Sequence, residues 1–197
     1  MVAQERSART RQRLVHAAAV EIDENGYERA TLTRICKYAQ LSIGALTFHF
    51  NSKRDLADAV RADARALTND RMKQVAHGHA PGLDCLIHLT GELAHLLETE
   101  VVVRSAARLE RDCPGDGGWL ESWLPAVRCL LREAQRSEEL RPGVDPQVMT
   151  ALAVHLVTGA ETFARASAGG ADPHLPAVAT QLERMWEVVL RGAVATP

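Results

Sequence analysis

The sequence predicts an all-α protein with two parts: an N-terminal three-helix head and a larger C-terminal helical body. Three observations carry this. Apolar residues recur three and four positions apart along most of the chain, the spacing of one face of a helix. The alternation that marks half-buried strands is missing, while Ala, Leu, Arg and Glu dominate. The clear Gly/Pro breakers fall at intervals of helix length. With 197 residues, 46% hydrophobic and 24% charged, the chain has an ordinary globular composition and enough length for one good core, or one core with a small appended domain.

Leu14, Ala17, Ala18 and Ile22 place a first helix over about Ser7–Glu24, ended by Asn25-Gly26. Thr31 is the expected N-cap of a short helix with Leu32, Ile35 and Ala39 inward. After a turn at Gln40-Leu41, Ser42 caps a third short helix that turns Leu46 and Phe50 inward. Asn51 or Ser52 opens a helix of about 25 residues. "GHAPG" (78–82) breaks it. Helices follow over 83–100 and 101–112, "CPGDGG" breaks again, and a helix starts at Trp119, with Pro125 bending it or marking its first turn. "RPGVDP" precedes a largely apolar helix from Pro146. "SAGGADP" is a loop before the last helix, which begins near Leu175. The domain boundary is drawn at 52/53: residues 1–52 form the head and 53–197 the body.

Composition excludes several functions. No apolar run approaches the roughly 18 residues of a membrane span, and the charged start "MVAQERSARTRQR" lacks the apolar stretch of a signal peptide. A cytoplasmic protein without membrane contact is expected. Cys36, Cys85, Cys113 and Cys129 show no C-x-x-C spacing and read as small apolar residues. His77 and His79 fall in a breaker loop and read as a solvated turn. His88 and His95 are too far apart for one metal, and His155 reads as a buried, bonded histidine. H-E-x-x-H, G-x-S-x-G and P-loop motifs are lacking. The expectation is therefore no enzyme, no cofactor and no metal. Charge is uneven: residues 1–54 hold nine Lys and Arg against five Asp and Glu, whereas residues 55–197 hold fourteen against twenty. A basic head on an acidic body suits a phosphate-bearing partner at one end.

Helix, short turn, helix, braced by a preceding helix, is the helix-turn-helix arrangement. On this reading the helix at Thr31–Tyr38 crosses the DNA backbone, and the helix at Ser42–Phe50 lies in the major groove with Ile43, Gly44 and Thr47 toward bases. His49 and Lys53 are assigned to phosphates, and Phe48 is expected to pack sideways. "TLTRICKYAQLSIGALTFHFNSKRDL" resembles the DNA-binding signature of the tetracycline-repressor (TetR) family, through G-A-L-x-F-H-F followed by S-K-x-D-L. "RQRLVHAAAVEIDENGYERATL" is similar to that family's first helix. "GALTFHF", "ESWLPAVRCLLREAQ" and "ERMWEVVLRGAV" resemble the γ-butyrolactone receptor branch. The resemblance covers 9–56 most strongly. It implies DNA-binding roles for Thr31, Thr33, Arg34, Ser42, Ile43, Gly44, Thr47, His49 and Lys53. The chain departs from the family at Thr47 (usually Tyr), Ile43 (often Lys in the branch), Gln40 (usually Gly) and Glu21 (usually Leu). Ile43 and the Thr47 methyl can meet thymine methyl groups, and Arg6, Arg9 and Arg11 on an N-terminal arm can supply phosphate contacts.

The resemblance implies a ligand site in the C-terminal helices. The apolar faces there offer Leu89, Leu93, Leu109, Trp119, Trp123 and Val127, with Trp123 as the first choice for a pocket wall. Thr158 and Thr162, one turn apart, can present hydroxyls to a carbonyl ligand. It also implies a homodimer through a four-helix interface, for which Val154, Val157, Ala160, Leu182, Met185, Val189 and Leu190 are the apolar candidates. The expected function is a ligand-responsive transcriptional repressor. It binds an inverted-repeat operator in double-stranded DNA and is released by a small molecule such as a γ-butyrolactone-type lactone. The alternatives are a regulator of the same type that senses an antibiotic or another apolar metabolite, and a DNA-binding regulator with no small-molecule ligand.

Overall fold

A computed structural model describes residues 2–115, 117–168 and 176–193. Nine helices occur among them: α1 (Val2–Asn25), α2 (Leu32–Ala39), α3 (Ile43–His49), α4 (Lys53–Gly78), α5 (Leu83–Thr99), α6 (Val101–Asp112), α7 (Trp119–Arg136), α8 (Pro146–Ala168) and α9 (Val178–Ala193). No described helix is long and apolar enough to cross a membrane. The expected loop "SAGGADP" lies largely outside the described residues. The first helix starts well before Ser7, so Arg6, Arg9 and Arg11 stand on α1 rather than on an extended arm. Pro125 lies inside the second turn of α7, a helix that runs on unbroken to Arg136.

The chain forms two compact units: residues up to 66 with 100–119, and 67–99 with the described residues from 120 onward. The first unit therefore runs past the expected boundary at 52/53. The reason is core volume. Three helices of this size bury little apolar area on their own, and the cluster of Leu14, Ala18, Ile22, Ile35, Leu46 and Phe50 is completed by Leu56, Ala57 and Val60 of α4 and Leu109 of α6.

Polar contacts join α1 to α6. Arg104 Nε lies 2.9 Å from Asp23 Oδ2, Arg108 Nη1 donates to the Asp23 carbonyl at 2.7 Å, and the Tyr27 N–H donates to Asp112 Oδ2 at 3.1 Å. Gly26 between them has φ +80°, and a Cβ there would lie 2.7 Å from Arg108 Nη2. The left-handed backbone favours glycine here, and a side chain would also have to displace the ends of Arg108 and Asp112. Arg61, 3% exposed, donates to Asp58 Oδ1 at 2.6 Å and to the Cys113 carbonyl, so its buried charge is satisfied.

The second unit is organised around α5. Leu86, Leu89, Leu93, Leu96 and Leu97 are at most 2% exposed. Trp186 of α9 is fully buried, and its Nε1–H donates to Thr90 Oγ1 at 2.8 Å. The Thr90 hydroxyl in turn donates to the Leu86 carbonyl at 3.0 Å. Both ends of this packing are capped by carboxylates: Glu139 accepts from the Leu83 N–H at 2.9 Å at the start of α5, and Glu98 accepts from the Val178 N–H at 2.6 Å at the start of α9. Free N–H groups at helix starts take carboxylates readily.

Candidate nucleic-acid interface

Two side-chain caps set α2 and α3. Thr31 Oγ1 accepts from the Arg34 N–H at 3.3 Å, and Ser42 Oγ accepts from the Ala45 N–H at 3.1 Å. Between the helices Gln40 adopts φ 51°, ψ 47°, its N–H returning to the Cys36 and Lys37 carbonyls. The turn thus keeps its left-handed residue without glycine. Arg13 of α1 donates to the Ala39 carbonyl at 2.5 Å, filling one of the acceptors left over at the end of α2. Around it, Arg9, Gln12, Arg13, His16, Tyr38, Ala39 and Gln40 line a shallow recess of about 360 Å³.

On α3 the inward pair is as the spacing implies, Leu46 at 0% and Phe50 at 5% exposed. Arg11 lies 5.3 Å from the Phe50 ring centre. The opposite side is bare. Ile43 is 53% exposed, and Ser42, Gly44 and Thr47 are exposed as well. Thr47 Oγ1 donates back to the Gly44 carbonyl at 3.2 Å. Phe48 does not pack sideways into the unit. It is 81% exposed, because a residue two before the inward Phe50 falls on the far side of a 3.6-residue turn. Its ring lies edge-on to His49, with centres 5.1 Å apart. A large apolar ring held in water beside Ile43 and Thr47 makes a small apolar ridge on a basic unit, and sequence reasoning did not assign it there.

Thr31, Thr33 and Arg34 are exposed on the start of α2. Arg34 is partly engaged: its Nε lies 2.9 Å from Glu21 Oε1, with side-chain exposures of 53% and 8%. The N–H is not aimed at that oxygen, so charge attraction rather than an aligned hydrogen bond holds the pair. Lys53, half-buried, donates to the Glu28 carbonyl at 3.2 Å, and its ammonium sits 4.3 Å from the Tyr27 ring centre. Burial, and then the neighbouring Cys113, pushes the Tyr27 phenol up. The start of α4 is closed by Ser52 and Asp55, with the Asp55 N–H on Ser52 Oγ at 3.0 Å and the Asn51 N–H on Asp55 Oδ2 at 3.1 Å. Asp55 in that capping role was missed, although S-x-x-D is a legible capping box.

The expected ligand-site residues are distributed over both compact units. Leu89, Leu93, Trp123 and Val127 are buried in the second unit, at most 2% exposed. Trp119 and Leu109 belong to the first unit, with Leu109 inside the core under the reading head. Thr158 and Thr162 are exposed on α8, and Thr162 Oγ1 donates to the Thr158 carbonyl at 3.3 Å, which satisfies it within its own helix. Of the apolar interface candidates, Val157, Ala160 and Leu182 are buried within the unit, whereas Met185 is 48% exposed; Val148 and Val188, at 65% and 69%, join it as exposed apolar residues. His155, expected to be buried and bonded, is exposed. It lines a groove between α7 and α8 of about 1110 Å³ with Leu124, Arg128, Arg132 and Val154.

A capped helix-turn-helix with a bare second helix, on a unit rich in Arg, defines a DNA-binding regulator. The family model "Bacterial regulatory proteins, tetR family" matches residues 14–60. The A-factor receptor protein of Streptomyces griseus is 29% identical over 193 residues, 96% of this chain, and the match spans 66% of that receptor's length. A solved γ-butyrolactone receptor (ArpA-like protein) shares the fold at TM-score 0.78, with 29% identity over 96% of this chain and 90% of its own. CprB of Streptomyces coelicolor, solved in complex with its biological operator sequence, aligns at TM-score 0.80, with 28% identity over 97% and 91%. TylP, a TetR regulator from Streptomyces fradiae, is 32% identical over 98% of this chain and 83% of its own, at TM-score 0.61. The chain belongs to the TetR family and is similar along almost its whole length to γ-butyrolactone receptors.

Proposed function

We propose that the chain is a repressor that binds an inverted-repeat operator as a homodimer and is released by a small apolar effector of the γ-butyrolactone class. The observation that carries the DNA half is the bare outer side of α3. Ile43 and Phe48 are exposed beside Gly44 and Thr47, while Leu46 and Phe50 fix the helix from below. Exposed apolar side chains at this place suit thymine methyl groups and sugar edges, and Thr33, Arg34, His49 and Lys53 surround them as polar and cationic contacts to phosphates.

The effector half rests on similarity to γ-butyrolactone receptors and on the apolar interior around Trp123. In this reading a lactone is held by apolar residues drawn from Leu89, Leu93, Trp123 and Val127, all buried in the second unit. α4 is one unbroken helix from Lys53 to Gly78, so a ligand that tilts its far part also moves its first turn. A 100-fold loss of operator affinity requires about 2.7 kcal/mol of differential ligand affinity between the two states. The exposed Val148, Met185 and Val188 are the apolar residues offered to a second copy. Dimerisation spaces two heads roughly 34 Å apart, one DNA turn.

The test uses duplexes from the DNA upstream of the chain's own gene, read by fluorescence anisotropy with and without synthetic γ-butyrolactones. Binding of two chains per inverted repeat, reversed by a lactone in the wild type and not in Trp123→Ala, is expected. Operator affinity that no lactone alters would overturn the effector half and leave the DNA half to stand on its own binding curve.

A further inference from the structure

At the corner where α4 gives way to α5, two histidines and an aspartate converge. His79, from the loop after α4, stacks on His88 of α5 with ring centres 3.8 Å apart and planes inclined by 30°. Asp84 lies one helical turn before His88, and its Oδ1 is 3.6 Å from His88 Nδ1. Each of the three offers a ligand atom within 4.8 Å of the other two. The sequence did not reveal this, because His79 and His88 meet through space across a loop containing Pro81 and Gly82.

We propose that His79, Asp84 and His88 bind a transition-metal dication of the Zn²⁺, Ni²⁺ or Cu²⁺ class, which staples the end of α4 to the start of α5. Three features support a site rather than a chance meeting. The donor set, two imidazoles and a carboxylate, is one these ions take readily, with solvent in a fourth position. Asp84 and His88 have the i, i+4 spacing that puts two ligands on one helix face. The Nδ1 atoms of both rings are already engaged by backbone carbonyls, His79 at 3.0 Å from the Val75 oxygen and His88 at 2.9 Å from the Asp84 oxygen. A proton on each Nδ1 makes those bonds and leaves each Nε2 lone pair for a metal; because it is His88 Nδ1 that stands 3.6 Å from Asp84 Oδ1, the Asp84 carboxylate must swing toward the Nε2 side to join it. Tetrahedral bonds of about 2.0–2.2 Å set the donors roughly 3.3 Å apart. Closure requires the stacked rings to turn so that their in-plane lone pairs converge, and the exposure of Asp84 and His88 leaves them room to do so.

The experiment is isothermal titration of the untagged full-length chain with ZnCl₂ and, separately, NiCl₂. One equivalent per chain is expected. His79→Ala and His88→Ala are expected to weaken binding at least tenfold and Asp84→Asn about tenfold, with the helical circular dichroism unchanged. His95→Ala, exposed further along α5, serves as a control with wild-type affinity. Saturating Zn²⁺ should raise the melting temperature of the wild type and not of His88→Ala. Cu²⁺ electron paramagnetic resonance gives a second readout, showing two nitrogen ligands in the wild type and one in each histidine variant. Absence of binding, wild-type affinity in both histidine variants, or an equal loss in His95→Ala would overturn the assignment.

Discussion

The pairing of Arg34 with Glu21 lets the energetics of the reading head be measured. Glu21 is almost fully desolvated, its side chain 8% exposed, and it has Arg34 Nε at 2.9 Å, while Arg34 is 53% exposed. Arg34→Ala strands a buried carboxylate without its cation. For a fully buried pair that costs about 3–5 kcal/mol, and for exposed pairs the coupling is about 0–1 kcal/mol. This pair lies between, so a loss of about 2 kcal/mol is expected. Glu21→Leu removes the charge that needed compensation and is expected to be neutral or stabilising by about 1 kcal/mol. In that background Arg34→Ala becomes a surface change costing under about 0.5 kcal/mol. The double-mutant cycle in urea, read by far-ultraviolet circular dichroism, should therefore give a coupling of about 1.5 kcal/mol. Freed from Glu21, the guanidinium in Glu21→Leu is available to a phosphate, and the slope of log K against log salt should steepen by about 0.9. Equal costs for Arg34→Ala in both backgrounds would refute the reasoning: the pair would then be a surface coincidence, and the salt slope should not move either.

Three further outcomes follow from named contacts. Gln40 sits at φ 51°, a left-handed conformation costing about 1–2 kcal/mol for a residue with a Cβ. Gln40→Gly, which relieves this strain but adds chain entropy to the unfolded state, should raise stability by roughly 0.5–1 kcal/mol in chemical unfolding. Trp186→Phe removes the donor to Thr90 in a fully buried place, and a drop of about 2 kcal/mol is expected in the same assay. Burial pushes the Cys36 and Cys85 thiols up, so a smaller thiolate fraction is present in the folded chain at any pH below their ordinary value. Exposed Cys129 should therefore react with iodoacetamide at pH 8 well before either of them, as read by peptide mass spectrometry.

Much of the reading head could be seen in the sequence because its determinants are local. Thr31 and Ser42 cap their helices through residues three positions on, and Leu46 and Phe50 share a face because they are four apart. The breakers read at 78–82 and 113–118 act through the local preferences of Gly and Pro. What escaped notice depends on contacts distant in sequence. Leu109 serves the core under α3 because α6 packs on α1 through Asp23, Arg104 and Arg108, a pairing no periodicity announces. Thr158 and Thr162 carry a helical spacing that fits either face of α8, and the structure turns them outward. Phe48 was expected to pack sideways, and the 3.6-residue geometry carries it out instead. Glu21 stood out as a departure from the resembling family, and only the fold supplies Arg34 as its partner.

The most direct test of the central claim, that the outer side of α3 reads DNA, is to select binding duplexes from a random-sequence pool with the full-length chain and repeat the selection with Phe48→Ala and with Ile43→Ala. Both residues are exposed, so neither variant should lose folding stability. The wild type is expected to enrich an inverted repeat whose half-site centres lie about one helical turn apart, with each variant losing affinity or base preference at the same positions of both halves. An unchanged motif and affinity in both variants, or no enrichment at low salt, would contradict it.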